Sequence, residues 1–201
     1  MDRVARENIV VEPTDLETAV TQANEALAAI QTAHGRTNVP EARIRFPRGF
    51  ILPAATYQAG LPKLGTKVHR CNASYALQAI DVFRWISVRT DLSGVALSMI
   101  IKEAICILGA ICEWLTKEAT RGDGARRSYT RRTAKLCERN VITQELKDEL
   151  DWIWDVRCNE HLHEVQSLEL SMYSRRDYNR ALDAFKAFKL ALVEIHGKAG
   201  G

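Results

Sequence analysis

At 201 residues the chain has the length of one ordinary domain, or one domain with an arm, and two full domains are not expected. A composition 46% hydrophobic and 26% charged, with a mean hydropathy of -0.20, supports a globular core and excludes a chain disordered throughout. The net charge of +3, from 28 basic against 25 acidic residues, is too small to argue nucleic acid from bulk charge and leaves only local basic patches to consider.

Met1 to Val11 carries Arg3 and Arg6 but no apolar core followed by small cleavage residues, so it does not read as a secretory signal. The 5 cysteines, odd in number and without a CxxC pair, make neither a disulfide framework nor a zinc signature, and a reducing cytoplasmic setting is expected. From Thr14 or Asp15 as N-cap, Leu16, Ala19, Val20, Ala23, Leu27 and Ile30 recur at helical spacing until Gly35, which predicts a first amphipathic helix. Between Arg36 and Val68 the periodicity fails. Pro40, Pro47, Pro53 and Pro62, with Gly49, Gly60 and Gly65, predict an irregular connector there. Within it Arg43, Arg45 and Arg48 alternate with Ile44, Phe46 and Phe50. Such interleaving suits a nucleic-acid backbone, but a solvated loop anchored by two Phe residues is the plainer reading.

After Asn72 or Ser74, an apolar stripe of Tyr75, Ala79, Ile80, Phe83 and Ile86 predicts a helix to Arg89, and Asp91 and Ser93 restart one. That second helix, about Val95 to Lys117, is apolar around most of its circumference and is predicted to be the centre of a bundle. The stretch to Leu115 is long enough to span a bilayer, but Lys102 and Glu103 lie side by side within it and Glu113 near its end, so a buried soluble helix and no membrane are expected. Gly122 and Gly124 end it. Arg126, Arg127, Arg131 and Arg132 then form the densest basic cluster, around Tyr129 and a short helix ending near Arg139; such a cluster suits phosphate or plain solvent. Thr143 caps a helix whose stripe is Leu146, Leu150 and Ile153, flanked by Trp152 and Trp154. A last helix opens at Ser174 or Asp177 and ends at Gly197.

The passage from Trp152 to His163 carries the chemistry. Extending the stripe four residues beyond Ile153 reaches Arg157, which must therefore point toward the bundle. A guanidinium cannot shed its charge, so a carboxylate, a phosphate or a solvent-filled cleft has to meet it; of the nearby acids Asp155 and Glu160, only Glu160 shares its face. His161 shares that face if the helix continues. If the helix stops at Asn159, His163 is able to swing back beside the arginine.

Arg157 and His163, with five residues between them, resemble the R-x4-6-H motif of HEPN domains, small all-α bundles found among ribonucleases and toxins. The resemblance covers roughly Arg70 to His196. It implies an all-α, HEPN-like bundle of four to five helices over residues 70–197; residues 1–69, outside the resemblance, are expected to form the N-terminal helix and the Pro-rich connector. It further implies a metal-independent endoribonuclease of the defence or toxin type, leaving a 2′,3′-cyclic phosphate, with no cofactor. Arg157 would bind phosphate and His163, or His161 in its place, would act as general acid or base. The position after the arginine, commonly polar in that family, is Cys158 here, and Asn159 is the residue to take its role. Arg126, Arg127, Arg131 and Arg132 are the further candidates for RNA contact. A homodimer, which pairs two motifs in one cleft, and an antitoxin or regulatory protein are the expected partners.

A non-catalytic reading stands beside it: an RNA- or nucleotide-binding dimer or a helical interaction module, in which Arg157 is held by Glu160 or a neighbouring helix. Cys158, His161 and His163 fit no standard zinc set, so no metal is expected. Cys158 as a nucleophile lacks an identifiable orienting group.

Overall fold

In a computed structural model of the chain, residues 13–47, 49–123, 128–160, 168–169 and 172–198 are described, and among them there are seven α-helices and no strand. The class is all-α, as the sequence predicts, but four to five helices is too few. The chain forms two compact units, residues 1–47 and 48–201. In the first, α1 (Pro13–His34) presents Leu16, Val20 and Leu27 at its surface, and a single 3-10 turn, Pro40–Ala42, follows.

The second unit adds α2 (Ala54–Gly60), α3 (Lys67–Arg89), α4 (Gly94–Ala119), α5 (Tyr129–Glu138), α6 (Gln144–Cys158) and α7 (Arg175–Lys198). The connector is therefore not wholly irregular. Its prolines mark boundaries, because Pro53 is the N-cap residue of α2, where a missing N–H costs nothing. Nor does α3 begin at Asn72 or Ser74: Thr66 caps it, its hydroxyl accepting from the His69 N–H at 3.2 Å, and Ser74 is buried within the helix.

The remaining helix ends follow local chemistry. Asn140, with φ of 56°, closes α5 in the left-handed region, so that Val141 N–H bonds the Leu136 carbonyl and Asn140 N–H the Cys137 carbonyl. Thr143 caps α6 through Leu146 N–H at 3.2 Å. Ser174 and Asp177 cap each other reciprocally at the start of α7.

Helix α4 packs against α3, α5, α6 and α7. Ile101, Ile105, Leu108, Cys112 and Leu115 are buried along one face of it, and Cys106 and Ile111 are buried outside that face, as a helix with neighbours on several sides requires. It is long and apolar enough to cross a membrane by composition, and more than half of its most apolar window is buried within the bundle. Each fully buried Leu or Ile in this core, Leu150 and Ile153 of α6 among them, contributes about 1.5–3 kcal/mol of transfer free energy.

Candidate functional site

Helix α6 crosses α4 where α4 has a glycine. A Cβ on Gly109 would lie 3.2 Å from Ile153 Cγ2 and from both Cβ and Cδ of Arg157, so the arginine stem rests on bare backbone. Arg157 thus points toward the bundle, as its spacing from Ile153 demands. The side chain stays 28% exposed, and its head lies 5.0 Å from the Trp154 ring centroid and meets Glu113 Oε2 at 3.4 Å. The partner is therefore a residue of a neighbouring helix. Glu160, the acid closest on its own face, contributes instead a backbone N–H to the Arg157 carbonyl at 3.1 Å.

Glu113 is shared. Lys117 Nζ lies 2.9 Å from its Oε1 and Arg132 Nη2 3.9 Å from the same oxygen. Two residues singled out from different parts of the sequence, Arg132 and Arg157, are thus brought to one carboxylate. Arg132 is buried, bonding Thr116 Oγ1 through Nε at 3.3 Å and lying over the Tyr129 ring, whereas Arg131 projects from α5 into solvent. Tyr129 in turn stacks on Trp154, ring centroids 4.6 Å apart, so the ring beside Arg157 is itself packed. Glu113 and Lys117 also line a groove of about 500 Å³ between α3 and α4, floored by Ala73, Ile107 and Ala110. The charged cluster and an apolar groove share an edge.

A second polar cluster fixes the end of α6. Lys102, 3% exposed in the middle of α4, donates to the Asn159 carbonyl at 2.6 Å and pairs with Glu169 Oε2 at 2.6 Å. Asn159 is the C-cap of α6, so the ammonium sits where the last carbonyls of the helix carry partial negative charge. Tyr173 closes the cluster, its phenol 3.4 Å from Glu169 Oε1 and its N–H bonded to Ser98 Oγ at 3.0 Å. Burial and then the Glu169 charge push that phenol up to about 12, with Asn159 pulling the other way. Beneath Arg157, burial, then Glu160 and Glu103, push the Cys106 thiol up to about 12, so it is neutral near pH 7 and not a thiolate nucleophile.

Arg126, Arg127, His161 and His163 lie outside the described residues. The helix does stop before the histidines: α6 ends at Cys158 and residues 159–160 form a turn. Among the described residues no group of His, Cys, Asp and Glu is placed to hold a metal ion. Sequence reasoning missed Glu113 and Lys102, both read as polar positions on an apolar helix. The signal was present, since a charge in the middle of a bundle's central helix must be paired.

Comparison with protein-family models, with curated proteins and with solved structures gives no match. What fold and site define is a class: an all-α bundle whose sixth helix ends in a cation cluster drawn to one carboxylate and clamped by a buried Lys–Glu pair.

Proposed function

We propose that the chain is a metal-independent endoribonuclease of the HEPN type, related to defence or toxin systems and acting as a homodimer. The observation that carries this is the sharing of Glu113. One carboxylate is divided among Arg157, Lys117 and Arg132, so Arg157 keeps N–H donors and positive potential for a phosphate. In the proposed reaction the RNA 2′-oxygen attacks phosphorus while a base takes its proton. The bond to the 5′-oxygen breaks as an acid protonates it, and a 2′,3′-cyclic phosphate remains. His163 serves as acid or base, with His161 as its substitute, and Arg157 binds the charge that builds on phosphate. An antitoxin or regulatory protein belongs to this reading as a partner.

The Arg157–Glu113 contact also favours a second reading, because an arginine already held by a neighbouring helix suits a dimer that binds RNA or nucleotide without cutting. Incubation with structured and unstructured RNA in EDTA separates the two. Cleavage to cyclic-phosphate ends that is lost in Arg157→Ala and His163→Ala supports the nuclease, and loss in His161→Ala alone moves the role to that histidine. RNA binding without cleavage, weakened by Arg157→Ala, assigns the second reading; cleavage indifferent to all three substitutions removes the first.

A further inference from the structure

The space between α3 and α7, bordered by α2, is a groove of about 480 Å³, within the range of small-molecule sites. Along α7 its wall runs from Tyr178 through Leu182 and Phe185 to Lys189, twelve residues or about 17 Å of helix. Opposite stand Leu77 and Ile80 of α3, with Leu61 just beyond α2. Leu61, Leu77, Ile80, Leu182 and Phe185 make its apolar lining, Asn179 and the paired Asp183 and Lys186 share the α7 wall, and Arg84 and Lys189 stand at its two ends.

The ends differ. At the Tyr178 end stand Arg84 and, one turn before it on α3, Asp81, a buried carboxylate that accepts from the Tyr57 phenol and from Leu52 N–H at 2.9 Å. Burial and then the Asp81 bond raise the Tyr57 phenol, so it remains a donor, and Asp81 and Arg84 bring opposite charges to this end of the groove. At the other end Lys189 pairs with no described carboxylate, while Lys186 one turn back is occupied by Asp183 at 3.0 Å. The Lys189 ammonium lies 3.5 Å from where a Cβ on Gly60 would stand, so small backbone borders it.

We propose that this groove binds a medium-chain amphipathic carboxylate, with its head on Lys189 and its tail along Leu77, Ile80, Leu182 and Phe185. The length of apolar wall selects a chain, and the uncompensated cation at one end selects its charge and direction. The site is separate from the end of α6 and does not rest on the ribonuclease reading.

The test is calorimetric titration of the full chain with decanoate, decanol and decyltrimethylammonium. Decanoate is expected to bind at least tenfold more tightly than either of the others. Lys189→Glu is expected to weaken decanoate by about tenfold to a hundredfold, the worth of a charge-assisted hydrogen bond, and to leave decanol unchanged. Leu182→Trp, which fills the groove, is expected to abolish binding of both, with circular dichroism showing that each variant is folded. Failure of decanoate to bind, equal affinity for decanol or the cation, or indifference to Lys189→Glu overturns the proposal.

Discussion

Lys102→Met tests whether the end of α6 is held by the buried ion pair. The two side chains are 4% and 11% exposed with 2.6 Å between Nζ and Oε2, and the same ammonium satisfies the Asn159 carbonyl. Removing the cation strands the Glu169 carboxylate with the Tyr173 phenol, 3.4 Å away, as its remaining described donor. Breaking one side of such a pair costs about 3–5 kcal/mol. In a chain of this size that lowers the melting temperature by about 6–20 °C. The double variant Lys102→Met/Glu169→Leu carries no stranded charge and leaves only neutral groups unsatisfied, about 1–3 kcal/mol. Urea denaturation of wild type, both single variants and the double variant checks the ordering. A loss below about 1 kcal/mol in Lys102→Met, or a double variant no more stable than it, refutes the account of the anchor.

Gly109→Ala gains up to about 1 kcal/mol of helix propensity but sets a methyl group against Ile153 and Arg157 at 3.2 Å, an overpacking cost of about 1–3 kcal/mol. A net destabilisation of up to about 2 kcal/mol in urea is expected, and a stabilised variant would show that α6 does not need the bare backbone. Alkali supplies a second check. Burial pushes the Cys106 and Cys112 thiols from 9.0 up to about 12, and the Tyr173 phenol from 10.0 up to about 12. Their neutral forms are favoured in the folded state, so stability is intact below pH 9 and is lost as pH rises toward 12. Each group adds a slope of up to about 1.4 kcal/mol per pH unit. Cys112→Ala is expected to make the fall between pH 9 and 12 shallower in a circular dichroism titration, and an unchanged slope would count against burial as the cause.

Helix existence was legible wherever an apolar stripe coincided with a cap, as in α6, where Thr143 and the run Leu146, Leu150, Ile153 fix both the start and the buried face. The start of α3 was not, because its first turn, Lys67 to Arg70, is largely exposed and carries no apolar stripe; only Thr66 marks it. The short α2 was hidden for a related reason. Seven residues give fewer than two full turns, and its Ala and Gly content has no period to read. At the site, the direction of Arg157 followed from spacing alone, but its partner did not. Glu113 lies 44 positions away on another helix, and which acid meets a half-buried arginine depends on where two helices cross.

That crossing decides how an anion would be received. An exposed arginine such as Arg131 has to be ordered to grip an incoming phosphate, and salt screens the attraction. Arg157 is different, since its stem is pinned on Gly109, its face lies on Trp154 and its charge is already engaged by Glu113. A phosphate entering there competes with a carboxylate for a guanidinium fixed in place. It gains little from reorganising the arginine, which is already ordered, and its advantage comes from the fact that Glu113 must also serve Lys117 and Arg132. Glu113 thus both positions the arginine and would limit its affinity, so that under the proposed reading the charge of this one side chain would set how strongly the end of α6 attracts phosphate.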